Sequence, residues 1–269
     1  MRLWIALCGL CAAGSSCFAQ LAPLTEAATQ PAKGRITWRQ SFSYTEFDLS
    51  GRTIEQAETS TNLSYGITGE LSASLTFSYI GRNDTGGAAY DQDGFGDTDL
   101  RLKWRFWQHD PGAISTNRLA LVGGVRLPTG TDGLSSGGYD PYLGVTFTRV
   151  EGRHGLNASA FYRLTTDGQS SPIEAGMGSA DLLTLETSYL YRLSPAEYAS
   201  DTEGSLYAVL ESVADYETNG DFEWRLAPGI LWEAKRYALE LSVILPAVSE
   251  VDARAETDWG LNAGFRVLF

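Results

Sequence analysis

Cysteine is nearly missing from this chain of 269 residues, and its three copies, Cys8, Cys11 and Cys17, all lie close to the amino terminus. Residues 1–19 are predicted to be a secretory signal peptide, because Arg2 precedes a short apolar run and Cys17-Phe18-Ala19 forms a small-residue cleavage site. The mature chain is therefore expected to contain no cysteine. This excludes a disulfide framework, a cysteine nucleophile and a cysteine-based metal site.

Long apolar runs are missing as well. No stretch of the predicted mature chain approaches the roughly 18 residues of a transmembrane helix, and the mean hydropathy is only −0.16. Glycine is nevertheless abundant, with 29 residues, and aromatic residues make up 12% of the chain. This combination is typical of a β-barrel that places apolar side chains at alternate positions, since averaging over a window hides them.

Histidine is as scarce as methionine, with two copies of each. A serine hydrolase usually needs a histidine base beside its nucleophile, but His109 and His154 both fall in predicted connections without a plausibly paired serine. The acidic pairs that an aspartate-based protease would need are better explained as solvated charges at a barrel rim: Asp97 with Asp99, and Glu256 with Asp258. We therefore expect no enzymatic activity and no cofactor.

The charge balance is strongly acidic, with a formal net charge of −13. Nucleic acid is not an expected partner, because phosphate binding requires clustered lysine and arginine. The acidic run Asp91-Gln92-Asp93-Gly94 lacks the closing glutamate of a calcium-binding helical loop. No specific metal site is expected for this reason, and loose bridging of acidic loops to lipopolysaccharide by divalent cations is the preferred interpretation.

The last 13 residues carry the clearest pattern in the chain. Two sets of side chains alternate strictly, which indicates a strand with one apolar and one polar face. The first set is Thr257, Trp259, Leu261, Ala263, Phe265, Val267 and Phe269, and the second is Asp258, Gly260, Asn262, Gly264 and Arg266. A terminal aromatic residue on the apolar face resembles the closing strand of Gram-negative outer-membrane barrels.

Twelve alternating segments can be counted: 33–45, 54–65, 70–80, 98–106, 119–127, 142–148, 156–164, 181–192, 206–212, 222–232, 237–245 and 256–269. They predict an all-β fold, an up-and-down antiparallel transmembrane β-barrel of about 12 strands over residues 33–269, after a periplasmic N-terminal segment at 20–32. A secreted β-sandwich or lipocalin-like barrel would show the same alternation with its apolar face inside. Strand lengths close to about 9–11 residues favour the membrane barrel.

Short and long connections alternate along the predicted barrel. The short ones are 66–69, 150–155 and 233–236, and the long ones are 81–97, 128–141, 166–180 and 246–255. Short turns belong to the periplasmic side and long loops to the outside, so both termini are expected in the periplasm. Two connections, 107–118 and 193–204, are long on the periplasmic side and break this rule.

Three short glycine-rich motifs resemble a known family. They are Ser64-Tyr65-Gly66-Ile67-Thr68, Gly94-Phe95-Gly96-Asp97-Thr98-Asp99-Leu100-Arg101-Leu102-Lys103-Trp104-Arg105 and Leu127-Pro128-Thr129-Gly130. Their order is similar to that in the outer-membrane barrels named for the meta-pathway of phenol degradation, a porin-like transporter family. The resemblance implies passage of small, often hydrophobic or aromatic, compounds across the outer membrane of a Gram-negative cell. It implies no catalytic residues.

Charged residues on the predicted inner faces are the candidate pore lining. A basic ladder of Arg101, Lys103 and Arg105 lies on one strand, and glutamates face it from the opposite wall. The full set is Arg101, Lys103, Arg105, Arg126, Arg163, Glu186, Glu211, Glu223, Arg225 and Glu240. One interpretation is a transverse field across a narrow pore, which would orient dipolar or anionic solutes. The other is that these charges pair across the lumen and occlude it.

The predicted function is a porin-like outer-membrane channel for passive passage of small solutes. A structural or adhesive barrel with an occluded lumen and an outer-membrane hydrolase are the alternatives. The expected partners are outer-membrane lipid and lipopolysaccharide, together with the barrel-assembly machinery, which would recognise the C-terminal strand.

Overall fold

The structure, a computed structural model, describes residues 22–112, 114–166, 168–169, 171–199 and 202–269. The regular structure of these residues consists of β-strands alone. They are β1 (Ile36–Asp48), β2 (Thr53–Gly66), β3 (Leu71–Asp84), β4 (Gln92–Phe95), β5 (Thr98–Gly112), β6 (Ser115–Leu127), β7 (Asp140–Glu151), β8 (His154–Arg163), β9 (Leu182–Ser194), β10 (Gly204–Glu217), β11 (Phe222–Ala234), β12 (Tyr237–Glu250) and β13 (Glu256–Leu268). Across the same residues, no helix is long and apolar enough to cross a membrane. The predicted signal peptide at 1–19 lies outside the described residues.

Twelve of these strands form a closed antiparallel barrel in which neighbours in the chain are neighbours in the wall. The ring closes where β1 pairs with β13 along almost its whole length. β4 continues the line of β5 along β3, with a one-residue shift of register at Gly96-Asp97. The predicted twelve-stranded up-and-down barrel is therefore confirmed, and β4 is the one strand beyond that number.

The wall has an apolar outer face and a polar inner face. Along β5, Leu100, Leu102 and Trp104 are 42%, 54% and 50% exposed on the outside. The side chains of Arg101 and Lys103, which alternate with them, point inward and are only 27% and 11% exposed. Exposed large apolar side chains recur on strands all round the barrel. A soluble sandwich or lipocalin-like barrel would bury them, whereas a band of this kind suits contact with lipid.

We call the end of the barrel where β1 begins and β13 ends the base, and the opposite end the rim. The base turns are mostly short, as at 67–70, 152–153 and 235–236, and the longer rim loops include 85–91, 128–139 and 164–181. The predicted connection 107–118 is mostly strand instead, since β5 runs to Gly112 and β6 begins at Ser115. This hairpin extension is exposed and largely polar, so no apolar alternation marks it in the sequence.

The segment expected in the periplasm ahead of the barrel takes a different course. Its described part, residues 22–32, runs inside the barrel, where Ala22, Ala27 and Ala28 are fully buried. The segment contains small residues and no periodic pattern. Nothing in the sequence therefore distinguishes a chain that fills a lumen from one that hangs free below it.

Candidate functional site

Residues 22–32, which we call the lumenal segment, cross the barrel interior and contact its wall on several sides. The backbone of the segment hydrogen-bonds to side chains of strands far apart in the ring. These partners are Arg39 on β1, Lys103 on β5, Thr146 and Thr148 on β7, Glu186 on β9 and Glu211 on β10. Because opposite walls hold the same segment, it occupies the middle of the lumen.

Glu211 is a fully buried anchor, with no exposed surface. Its Oε1 atom accepts hydrogen bonds from the backbone N–H groups of Leu24 and Thr25, both at 2.8 Å, and from the hydroxyl of Thr25 at 2.9 Å. A buried carboxylate is costly without donors, and here all three donors bind Oε1, while Oε2 is buried without a hydrogen-bond partner. Glu211 and the start of the lumenal segment therefore stabilise each other.

Glu26 neutralises part of the basic ladder from inside the lumen. Its carboxylate lies 2.6 Å from Nη1 of Arg101 and forms a still shorter ion pair with Lys103. Burial by itself would raise the pKa of Glu26, but the positive charges of Lys103 and Arg101 outweigh it and lower that pKa to about 2. The backbone N–H of Glu26 also donates to Oε2 of Glu186 at 2.8 Å. The ladder thus faces a carboxylate of its own chain.

The lumenal segment passes over Gly66 where it joins β1 at the base. A Cβ atom at Gly66 would lie 2.2 Å from the carbonyl oxygen of Ala32 and 2.6 Å from that of Pro31. No side chain fits at these distances, so the crossing requires glycine. Two backbone hydrogen bonds fix it, from Gly34 N to Gly66 O at 2.8 Å and from Gly66 N to Arg35 O at 3.0 Å. The glycine of the first sequence motif therefore accommodates the lumenal segment.

A cavity of about 490 Å³ remains beside the lumenal segment. It reaches from Arg35 and Leu268 at the base to Leu182 and Thr184 near the rim. One wall consists of small hydroxyl and amide side chains from β1, β2 and β3: Thr37, Ser41, Ser60, Asn62, Ser64, Ser72, Ser74 and Thr76. The volume falls within the range of about 300–1,000 Å³ typical of small-molecule sites. The lumen is therefore narrowed by the segment, but not filled.

Residues 171–181 of the rim loop between β8 and β9 cover the opposite end of the lumen. Arg82 on β3 donates to Oε1 of Glu174 at 2.5 Å, and Gly176 N donates to Oε1 of Glu217 on β10 at 2.9 Å. Ala255 N, in the loop before β13, donates to the carbonyl of Pro172 at 2.7 Å. These contacts lie on different sides of the ring. The loop consequently spans the mouth of the barrel.

Asp97 holds a second rim loop in place. Its Oδ2 accepts hydrogen bonds from the backbone and hydroxyl of Ser136, both at 2.8 Å, and its Oδ1 accepts one from Gly130 N at 3.0 Å. Burial would raise the pKa of Asp97, but hydrogen bonds from Ser135, Ser136 and Gly130 outweigh it and lower that pKa. This carboxylate is therefore a structural acceptor and not merely a solvated rim charge.

The ten predicted pore-lining residues lie on the inward-facing positions of their strands, but most of their charges already have partners. Arg101, Lys103, Glu186 and Glu211 contact the lumenal segment. Of the others, Arg105 bonds to Gly69 O at the base, Glu240 pairs with Arg39, and Arg225 pairs with Asp215 beside Glu223. Arg126 lies opposite Asp99 and Asp140 in the pairings of β6, and Arg163 interacts with Asp99 and Asp215 electrostatically without an ion pair among the described residues. The role of all ten in conduction stays a prediction.

Sequence reasoning missed two partners of Arg101, one in the lumenal segment and one on a strand of the wall. Glu26 lies in a segment without periodicity, so no pattern could place it against Arg101. The phenol of Tyr142 is another, because it accepts from Nε of Arg101 at 2.9 Å and donates to Asp99 at 2.7 Å. Its inward position follows from alternation on β7, although an aromatic residue is more often assigned to the lipid face. Within the described residues, no group of acidic, histidine or cysteine side chains could hold a metal ion.

The protein is a closed antiparallel barrel with an apolar outer face and a polar, partly occupied interior, and these features are typical of barrels of the outer-membrane type. The chain belongs to the family described as "Putative MetA-pathway of phenol degradation", which matches residues 44–226. The resemblance seen in the sequence motifs is thereby confirmed. No curated protein matches the chain.

Two solved structures share the fold. An outer membrane channel from Pseudomonas putida F1 is similar over 90% of this chain and 97% of its own, with 13% identity and a TM-score of 0.65. The β domain of the Bordetella autotransporter BrkA is similar over 88% of this chain and 100% of its own, with 12% identity and a TM-score of 0.50. At such identities the likeness establishes the fold alone. Whether the chain has enzymatic activity is not decided by it.

Proposed function

We propose that this protein is a porin-like channel of the Gram-negative outer membrane for the passive passage of small solutes. The base would face the periplasm and the rim the cell exterior. Membership of the family, the apolar outer band and the likeness to an outer membrane channel support this proposal. The observation that carries it is the cavity of about 490 Å³ that extends from base to rim along a wall of hydroxyl groups.

The channel is narrow because the lumenal segment occupies its centre. Twelve strands enclose limited space, since barrels of about eight strands are filled by side chains and those of about 16–18 leave an open channel. The segment reduces this space further. It is held by noncovalent contacts alone, to Glu211, Arg101 and Lys103 among others. We therefore expect small conductance with the segment in place and larger conductance when it is displaced.

Planar bilayer recording tests this proposal, with wild type compared to a variant lacking residues 22–32. Wild type should show small channels, and the deletion should show clearly larger ones. Heat-modifiable gel mobility and recovery in the outer-membrane fraction would show that both proteins are folded and correctly located. Liposome swelling with neutral sugars and with aromatic solutes would then rank solutes; the family description, which refers to phenol degradation, is the reason to include the latter.

A structural barrel is the second candidate, because the lumenal segment and the rim loop at 164–181 both obstruct the axis. It makes the opposite prediction in the same experiment. If wild type never conducts and no solute enters liposomes, the channel proposal is wrong. The expected partners, lipopolysaccharide at the rim and the assembly machinery at β13, belong to both candidates and stay predictions.

A further inference from the structure

Arg163 differs from most of the arginines inside the barrel, because it forms no ion pair with a carboxylate of the described residues and its Nε is buried without a hydrogen-bond partner. Arg163 lies at the end of β8, and Arg126 lies on β6, where it is opposite Asp99 in the pairing with β5 and opposite Asp140 in the pairing with β7. Other arginines inside the barrel are each paired with a carboxylate: Arg39 with Glu240, Arg82 with Glu174, Arg101 with Glu26, Arg225 with Asp215, and Arg254 with Glu217. The guanidinium groups of Arg126 and Arg163 repel each other.

Asp99 and Asp215 act on Arg163 electrostatically, but neither forms an ion pair with it. Asp99 accepts from the hydroxyl of Tyr142 at 2.7 Å, and Asp215 forms a close ion pair with Arg225. Nε of Arg163 is buried without a partner. An uncompensated cation away from bulk water is costly, and pairing with an anion offsets that cost. The positive charge of Arg163 is thus available to a ligand.

Apolar side chains flank Arg163 on two sides. Phe161 is two residues earlier on β8 and therefore shares its inward face. Leu182 is directly opposite Arg163 in the pairing of β8 with β9 and is only 5% exposed. Phe161 meets the ring of Tyr142 edge-on, with centroids 6.3 Å apart. All four side chains line the lumenal cavity.

Residues 171–181 of the rim loop form the roof of this part of the cavity. A Cβ atom at Gly176 would lie 3.4 Å from Nη1 of Arg163, so the loop backbone passes directly beside the guanidinium. The unpaired cation is therefore enclosed by Phe161, Leu182 and the loop. A hydrated inorganic anion would leave the apolar surfaces without contact, whereas an anion with a planar apolar body would cover them.

We propose that Arg163, helped by the nearby positive charge of Arg126, binds the carboxylate of a small aromatic acid whose ring contacts Phe161. A guanidinium holds a carboxylate through two parallel hydrogen bonds, and aromatic side chains favour edge or offset contact with a second ring. This inference rests on the proposed channel function and specifies one class of solute for it. The site lies at the rim end of the cavity, where a solute from outside would arrive first.

Benzoate is the probe, with benzyl alcohol as a neutral analogue of similar shape and acetate as an anion without a ring. Binding to purified, detergent-solubilised protein would be measured by calorimetry at low chloride. Wild type should bind benzoate more tightly than either analogue. Arg163→Gln should weaken benzoate by about tenfold or more, since a charge-assisted bidentate contact is lost, and should leave the weaker binding of benzyl alcohol unchanged.

Arg149→Gln is the matched control, because Arg149 is exposed on β7 near the base and pairs only with Glu151 among the described residues. It should bind benzoate as wild type does. Phe161→Ala should weaken benzoate but not acetate. Heat-modifiable mobility would verify the fold of each variant, and Arg126→Gln, with a smaller loss, serves if Arg163→Gln does not assemble.

The proposal is overturned if wild type does not bind benzoate, if Arg163→Gln and Arg126→Gln both bind it as well as wild type, or if acetate and chloride compete as strongly as benzoate. The last result would mean a simple inorganic or small-anion site. Bilayer conductance of wild type judges the channel separately. If the barrel conducts but does not bind benzoate, the channel proposal holds and the proposed binding site is wrong. If the barrel binds benzoate but does not conduct, the binding site holds and the channel proposal is wrong.

Discussion

Glu26→Gln should loosen the lumenal segment without removing any of its backbone contacts. The wild-type carboxylate pairs with Arg101 and Lys103, and these charges lower its pKa from 4.5 to about 2. Since one pH unit corresponds to about 1.36 kcal/mol, the ionised form is favoured inside the barrel by about 3 kcal/mol. Glutamine has the same shape but no charge, so up to this amount of anchoring is lost. The bonds from Leu24 and Thr25 to Glu211 remain.

A loss of about 3 kcal/mol raises the displaced population about a hundredfold, because each 1.4 kcal/mol is a factor of ten. Single-channel recording would detect this as more frequent transitions from the small conductance to the large one seen after deletion of residues 22–32. Glu151→Gln is the matched control, since it removes an exposed glutamate from an ion pair with Arg149 outside the lumen. It should behave as wild type.

The same reasoning gives a pH dependence. The pKa of Glu26 is lowered in the folded protein, so its contribution is complete above about pH 4.5 and is lost as the pH falls toward about 2. Across this window, wild type should come to resemble Glu26→Gln, and the difference between them should vanish at the acidic end. Equal frequencies of large openings in wild type and Glu26→Gln at neutral pH would refute the view that these ion pairs hold the segment.

The remaining predictions concern the base, the rim and the ladder. Gly66→Val should displace the lumenal segment, because its Cβ would clash with the carbonyl of Ala32. Large openings in bilayers should then become more frequent. Unchanged conductance would contradict the view that the segment must pass close to Gly66. Arg82→Ala should free the rim loop, so that a glutamate-specific protease cuts faster after Glu174 in intact protein. Deletion of Phe269 should lower the outer-membrane yield, whereas a soluble fold would tolerate it. Replacing the basic ladder (Arg101, Lys103 and Arg105) together by alanine should alter ion preference; unaltered preference would make the ladder a device for holding the segment.

The wall could be predicted from the sequence and the contents of the lumen could not. Where a strand has apolar residues at alternate positions, the alternation shows which side chains face outward and which face the lumen, because successive side chains of a strand point to opposite faces of the wall. It identified Glu211 as inward, yet it could not reveal that Leu24 and Thr25 bind it. Contacts of this kind join residues 186 or 187 positions apart in the chain and leave no local pattern. The extension of β5 to Gly112 was not predicted for a related reason, because this part of the strand is largely polar and has no apolar face.

The closing seam between β1 and β13 determines the order in which the parts can be assembled. The lumenal segment is attached directly to β1, and the ring is complete only when the backbone N–H of Phe269 meets the carbonyl of Ile36, 2.9 Å away. While that seam is open, the segment can swing sideways into the lumen beside β1. Once it has closed, a separate peptide has to thread lengthwise past Gly66 or beneath the rim loop. A synthetic peptide of residues 22–32 should therefore bind only slowly to a folded barrel that lacks these residues. In the complete chain the same segment should reach its place much faster, while the barrel inserts into the membrane. Both should end in the same bound state.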